Sequence, residues 1–293
     1  MIKICVSIGK LKLKNPVMVA SGTFGYGIEY KDLVDLDKLG AIITKTITLK
    51  PRKGNPQPRI FELPYGMINS VGLQNVGLKK FIEEKLLSLK KNTKTPIIVS
   101  IGGKTKEEFV KITEVLDSEK IGGIELNISC PNIIGGKIIS QSPKETYKLV
   151  SSIRKKTSHT LITKLSPNVT DITEIAESVE DAGSDAVSLI NSFPAMIFPQ
   201  SLNIPYGTSC GRSISQSPVF GGLSGPCIKH IALKMVYQAA RAVKIPVIGM
   251  GGITGIQDAL DFFNAGAKAM AVGCANFIDL KIVIKIIDEL EKY

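Results

Sequence analysis

The sequence has no tryptophan, only two histidines and 6% aromatic residues. Base-stacking nucleic-acid platforms need aromatics interleaved with basic residues, and no segment combines them. The cysteines stand at Cys5, Cys130, Cys210, Cys227 and Cys274, never at CxxC spacing, which excludes the common zinc and dithiol motifs. His159 and His230 are isolated and read as structural, so no metal site is expected. No apolar run reaches the roughly 18 residues of a membrane span, so no membrane association is expected. The segment 1–14 alternates apolar residues with Lys and lacks the continuous apolar core of a secretory signal. Unpaired, widely spaced cysteines without such a signal predict free thiols in a reducing cytoplasm. Cys5, Cys210 and Cys227 read as small core hydrophobes.

What is present is an ordinary globular composition with a basic surplus. The chain has 293 residues, 44% hydrophobic, and a formal charge of +11 from 37 Lys+Arg against 26 Asp+Glu. Such a surplus fits an anionic cofactor, nucleic acid, an acidic partner or plain solubility. Lys90, Lys91 and Lys94 close one helical segment and Arg154, Lys155 and Lys156 another, where cations complement the helix dipole.

Eight short apolar runs, at 17–20, 41–44, 97–101, 124–128, 161–165, 186–190, 247–250 and 269–272, have the form of parallel strands buried on both faces. Helical periodicity follows most of them. Phe109, Ile112, Val115 and Leu116 share one face, and Ile172, Ile175, Ala176 and Val179 another, with Asp171 as cap. Ala259, Leu260, Phe262 and Phe263 follow the seventh run; Ile282, Ile286, Ile287 and Leu290 follow the eighth. Strands alternating with helices eight times predict a single (β/α)8 TIM barrel spanning 1–293 as one domain. Long loops are expected after strands 2, 4 and 6. Those at 47–75 and 191–225 are rich in Pro, Gly, Asn and Ser, on the face where barrel enzymes carry their sites.

Glycines follow strands 7 and 8 in Met250-Gly251-Gly252-Ile253 and Val272-Gly273-Cys274-Ala275. That is the position of a barrel phosphate site, and equally of two tight βα turns. The sharpest segment is Glu125-Leu126-Asn127-Ile128-Ser129-Cys130-Pro131-Asn132. There a strand-end thiol, Cys130, can act as base or nucleophile. Amides recur at other strand ends: Asn69 in Ile68-Asn69-Ser70-Val71-Gly72-Leu73-Gln74-Asn75, Asn127 and Asn132 around Cys130, and Asn191-Ser192. Converging amides suit a flat ring with alternating N–H and C=O groups, such as a pyrimidine. Lys45 and Lys164 end two further strands, and an ammonium inside a barrel needs an anionic partner.

Taken with Ala20-Ser21-Gly22, Thr44-Lys45-Thr46, Lys164-Leu165-Ser166-Pro167-Asn168 and Gly222-Leu223-Ser224-Gly225-Pro226, these segments make the chain resemble a class 1 dihydroorotate dehydrogenase. Asn-Ser-Val-Gly-Leu-Gln-Asn resembles the catalytic subunit of the NAD-linked class 1B form; fumarate-linked class 1A enzymes tend to carry Pro where Gln74 stands. The resemblance implies FMN-dependent oxidation of dihydroorotate to orotate in pyrimidine biosynthesis, in the cytoplasm. It places the FMN phosphate at Gly225, Gly251, Gly252, Gly273 and Cys274. The flavin ring would meet Ser21, Lys45, Thr46, Ser100, Asn127, Lys164 and Ile190. Substrate would contact Lys45, Asn69, Ser70, Val71, Gly72 and Leu73, then Asn127, Asn132, Asn191 and Ser192. Cys130 would be the catalytic base taking the C5 proton. Electrons would leave through a separate subunit carrying FAD and [2Fe–2S], in a heterotetramer built on a homodimer. Ser100 replaces the family's usual Asn and Cys274 its usual Thr. A tRNA dihydrouridine synthase-like flavoenzyme shares the FMN barrel and the Cys-Pro pair. Such enzymes add an RNA-binding domain, whereas one helix follows the eighth run here, and the Asn69–Asn75 segment suits a free pyrimidine better, so no nucleic-acid partner is expected.

Overall fold

Each of the eight apolar runs forms a strand in the computed structural model, which describes residues 4–128, 133–134, 137–198 and 218–293. The strands are β1 (Val6–Ile8), β2 (Leu11–Leu13), β3 (Val17–Val19), β4 (Ala41–Ile43), β5 (Ile60–Leu63), β6 (Gly66–Asn69), β7 (Ile97–Ile101) and β8 (Gly123–Asn127). They continue with β9 (Ile133–Ile134), β10 (Lys137–Ile138), β11 (Thr160–Lys164), β12 (Ala186–Leu189), β13 (Phe193–Ile197), β14 (Val219–Ser224), β15 (Val247–Gly249) and β16 (Ala269–Val272). β3, β4, β7, β8, β11, β12, β15 and β16 pair in parallel, in chain order, and close as a barrel. This is the expected (β/α)8 architecture.

The two-residue period of a strand sorts the apolar side chains into two cores. Val17, Val19, Ile42, Val99, Ile124, Leu126, Leu161, Val187 and Val272 face outward onto the helices. Met18, Ala41, Ile43, Ile98, Ile162, Ala186, Ile248, Ala269 and Ala271 face inward. The antiparallel β1–β2 hairpin adds Ile8 and Leu13 to that inner set and so plugs one end of the barrel. Farther along the same strands the inward positions turn polar: Ser100 on β7, Glu125 and Asn127 on β8, Lys164 on β11 and Ser188 on β12, all buried. The barrel is mainly apolar below, where Thr160 is a buried polar residue beside Ile8, and hydrogen-bonding above.

Helix starts follow local chemistry. Thr105 caps helix Lys106–Asp117, Ser142 with Pro143 caps helix Pro143–Arg154, and Asp171 caps helix Ile172–Asp181, each side chain accepting a backbone N–H of the first turn. Phe109, Ile112 and Leu116 are buried, but Val115 is 45% exposed. It follows Ile112 by three residues and so falls toward the edge of the stripe, about 100° from Leu116.

Two further expectations are corrected. Between β3 and β4 the described chain has no α-helix, only 3₁₀ turns at Ile28–Tyr30 and Leu36–Lys38. Gly22, Gly25 and Gly27 hold positive φ there, and a Cβ on Gly27 would stand 3.0 Å from Ile42 and 3.2 Å from Leu89, so the segment folds by tight turns against the barrel. The Pro/Gly-rich loops after the second and sixth barrel strands are partly a sheet: β13, β14, β6 and β5 pair antiparallel in that order, over a small core of Phe61, Ile68 and Ile197. The loop after the fourth barrel strand carries the short antiparallel pair β9–β10. Among the described residues no helix is long and apolar enough to cross a membrane.

Candidate active site

The polar upper layer of the barrel gathers residues from five strand ends. Lys164 and Asn127 are register partners on neighbouring strands. Lys164, 4% exposed, donates from Nζ to Ser21 Oγ at 3.2 Å. Asn127 donates from Nδ2 to Thr46 Oγ1 at 3.0 Å, and Thr46 Oγ1 lies 2.9 Å from Ser100 Oγ. Ser100, wholly buried, donates onward to Glu125. Ser21, Thr46, Ser100, Asn127 and Lys164 thus form one layer.

Lys45 is tied to this layer by its neighbour Thr46, and its N–H donates to Gly25 O at 2.8 Å. Its Nζ stands 5.8 Å from the Tyr26 ring centroid, a cation–π contact. Burial holds the Lys45 ammonium below the ordinary lysine range; Glu29 opposes the shift, and Arg59 and Lys85 add to it. The position favours an arriving anion, which would relieve the cost of a half-buried cation.

The four-stranded sheet forms a rim. Asn69, ending β6, donates from Nδ2 to Gly222 O at 3.3 Å. Ser192 donates its N–H to Asn191 Oδ1 at 2.8 Å, and a Cβ on Gly222 would collide with Ser192 Oγ. Asn69, Asn191 and Ser192 therefore meet at Gly222, where only hydrogen fits. Asn191 N–H reaches Leu165 O at 3.3 Å, which joins the rim to the strand bearing Lys164. In the 70–73 segment, Asn55 donates to Ser70 O and Oγ at 2.7 and 3.1 Å, and Val71 O accepts from Asn55 N–H at 3.0 Å. Gly72 and, unusually, Leu73 hold positive φ, at 74° and 55°. Asn75 holds the latter in place, donating from Nδ2 to Leu73 O and to Thr48 Oγ1 at 2.8 Å each. A non-glycine residue in this region stores strain that its surroundings must hold.

Gly225, Gly251 and Gly252 lie together where the end of β14 meets the end of β15, next to the rim. Gly225, Gly251 and Gly252 have φ of 111°, 123° and 75°. A Cβ on Gly252 would stand 3.0 Å from Gly225 O, and one on Gly251 would stand 3.5 Å from Ile190. Lys229 bridges Asp258 and Asp261 at 2.6 and 3.0 Å, and Thr254 donates to Asp258 from both N and Oγ1 at 2.7 Å. These bonds pin the loop after β15. At Gly273 a Cβ would meet nothing within 4 Å, so the end of β16 faces open space. Burial pushes the Cys274 thiol up against the hydrogen bond it shares with Ser224. A neutral thiol there places no negative charge beside the glycines.

The family model described as dihydroorotate dehydrogenase matches residues 3–293. The chain belongs to the dihydroorotate dehydrogenase family. It is 50% identical over 289 residues to "Dihydroorotate dehydrogenase B (NAD(+)), catalytic subunit" of Thermoanaerobacter sp. (strain X514), covering 98% of this chain and 92% of that one. Proteins of the same description from Geotalea uraniireducens (strain Rf4) and Caldicellulosiruptor bescii are each 48% identical, over 290 and 289 residues, covering 98% of this chain and 92% and 93% of theirs. Family membership removes the tRNA dihydrouridine synthase alternative.

Cys130 and Asn132 lie outside the described residues, as does Cys210. Cys5 and Cys227 are exposed rather than core residues. Cys5 falls on the solvent side of the alternation that turns Val6 and Ile8 inward, and Cys227 faces out of a 3₁₀ turn whose buried residue is Ile228. Sequence reasoning passed over Glu125 and Ser188. The signal was available, since an acidic residue inside the apolar run Ile124-Glu125-Leu126-Asn127 shares the inward face of Asn127. Tyr26, whose hydroxyl accepts Val76 N–H at 3.1 Å and whose ring faces Lys45, carried no comparable signal.

Proposed function

We propose that this chain is the cytoplasmic catalytic subunit of an NAD-linked dihydroorotate dehydrogenase, which oxidises dihydroorotate to orotate in pyrimidine biosynthesis with FMN bound at the barrel mouth. The observation that carries the reading is the meeting of the buried Lys164, Thr46 and Asn127 with the half-buried Ser21 in one polar layer, beside an amide-bearing rim and the glycines that adjoin it. The donor set fits FMN. Gly273 opens onto room for a phosphate, while Gly225, Gly251 and Gly252 bring backbone close without side chains. Ile190, packed near Gly251, offers an apolar edge to the ring.

When bound, FMN supplies the acceptor for the substrate's hydride. Lys45 and Lys164 hold positive charge where the phosphate-bearing cofactor and a carboxylate substrate are drawn in. The amides of Asn69, Asn127 and Asn191, with Ser192, orient the pyrimidine ring, and the strained 70–73 segment closes one side of it. Asn132 is assigned beside the substrate, and Cys130 Sγ receives the C5 proton; both assignments rest on their place in the sequence just after Asn127. The subunit works as a homodimer joined to an FAD and [2Fe–2S] subunit, in keeping with the description "catalytic subunit" that its relatives carry.

The test is anaerobic reduction of the bound flavin by dihydroorotate near neutral pH, in the wild-type protein and in Cys130→Ser. Wild-type flavin bleaches rapidly. The variant stays yellow and bleaches slower by roughly two orders of magnitude or more, the scale of a lost general base. Bleaching at the wild-type rate removes Cys130 from the reaction, and a wild-type protein that dihydroorotate does not bleach removes the reading altogether.

A further inference from the structure

The mechanism above makes no use of Glu125, yet this carboxylate is fully buried inside the barrel one layer beneath the site. Its two oxygens accept from two serines on different strands: Ser100 donates to Oε1 at 2.9 Å and Ser188 to Oε2 at 3.2 Å. A hydroxyl has one proton to give. Ser100 gives its proton to Glu125, so in the 2.9 Å contact between Ser100 and Thr46 it is Thr46 that donates. Thr46, having given its own proton away, accepts from Asn127 Nδ2 at 3.0 Å. The hydrogen bonds therefore run one way, from Asn127 through Thr46 and Ser100 to Glu125. Because an amide is planar, giving Nδ2 to Thr46 fixes Oδ1 on the other edge of Asn127.

We propose that Glu125 is a positioning residue for substrate recognition: as terminal acceptor of this chain it sets the direction of every hydrogen bond above it and makes Asn127 present its amide oxygen to the pyrimidine ring. The inference rests on the proposed placement of that ring against Asn127. It specifies the substrate class more narrowly, as a ring offering an N–H donor at that edge. An amide oxygen accepts two hydrogen bonds, so one further partner of Asn127 leaves this role intact. A carboxylate is the terminal group the chain needs. It accepts at both oxygens, whereas a carboxamide in its place presents a donor to one of the two serines and opposes the direction there. In a low-dielectric interior such chains are polarised along their length, so a change at the bottom is felt at Asn127.

The test is orotate affinity of the FMN-loaded protein, read from the shift in flavin absorbance, with flavin content and melting temperature measured alongside. Ser100→Ala cuts the chain and weakens orotate by about tenfold, the scale of one misdirected buried hydrogen bond. Ser100→Thr, which keeps the hydroxyl, restores most of that loss, and Glu125→Gln weakens orotate severalfold. In an Asn127→Ala background Ser100→Ala costs nothing further, because residues of one network are not additive. A merely structural serine would lower the melting temperature and act equally in both backgrounds, and that result overturns the proposal. Unchanged orotate affinity in Ser100→Ala, or in folded Glu125→Gln, overturns it as well. Should Glu125→Gln fail to fold, the Ser100 pair decides alone. If Asn127→Ala itself leaves orotate affinity unchanged, the placement of the ring fails and the relay falls with it. A loss in Asn127→Ala without one in Ser100→Ala sinks the relay alone.

Discussion

The two ends of the barrel are built from the same strands and do opposite work. At the closed end, Met18, Ile43, Ile98, Ile162 and Ile248 pack around the hairpin residues Ile8 and Leu13, and the burial is mainly apolar, with Thr160 Oγ1 donating to Ile8 O at 3.5 Å. At the mouth, Ser100, Glu125, Asn127, Lys164 and Ser188 are as buried as their apolar counterparts below, and each must be satisfied by hydrogen bonds. A buried hydrogen bond returns only about 1 kcal/mol net of desolvation, and a buried charge is often no better than an apolar side chain of the same size. Stability is therefore concentrated where nothing binds, and the mouth holds groups that a ligand, rather than the fold, makes favourable.

The largest effect expected from this contrast is at the closed end. Ile98→Ala leaves a cavity in the lower core and lowers stability by roughly 2–5 kcal/mol, while orotate affinity of the folded, FMN-loaded fraction stays as in the wild type. Chemical denaturation and ligand titration on the same preparation check both halves; a variant that loses orotate in proportion to stability would show the two ends to be one cooperative unit. Lys164→Met tests the mouth. Replacing a buried lysine by an apolar side chain of similar length leaves the stability of the flavin-free chain unchanged or raises it by about 1 kcal/mol. The same change strips flavin from the purified protein. If Lys164→Met unfolds the chain instead, the mouth is structural and the contrast collapses.

The closed end was legible from sequence because its information is local: short apolar runs at regular spacing name the strands, and the barrel follows. The mouth was legible only where polar residues interrupt those runs. Lys164 and Asn127 were read that way, yet Glu125, in the same run as Asn127, was missed because function was sought at strand ends and not one layer beneath. The antiparallel sheet was hidden for another reason. Ile60-Phe61-Glu62-Leu63 and Gly66-Met67-Ile68-Asn69 alternate in a hairpin pattern about a Pro-Tyr turn, but β6 pairs with β14 from a segment far along the chain, and no local rule announces such a partner. Composition likewise misjudged Cys5 and Cys227, because which side of a strand or turn a cysteine occupies depends on the register of its neighbours.

The smallest expected effect sharpens the contrast through pH. Lys45 lies at the edge of the mouth with its ammonium depressed, by burial first and by Arg59 and Lys85 after it. A lysine depressed in the folded chain penalises folding fully at pH below its folded pKa, and the penalty vanishes above its unfolded value. Lys45→Met therefore stabilises the ligand-free chain modestly at neutral pH, and that gain fades on the alkaline side. Orotate affinity has the complementary dependence. A carboxylate binds the protonated lysine, so wild-type affinity falls as pH rises through the depressed value, earlier than for a lysine in open solvent. In Lys45→Met the affinity is lower at neutral pH and flat over that interval. Calorimetric titration across the alkaline range decides it: if the variant keeps the wild-type slope, the titrating group is elsewhere, and the depressed charge at the rim is incidental to anion capture.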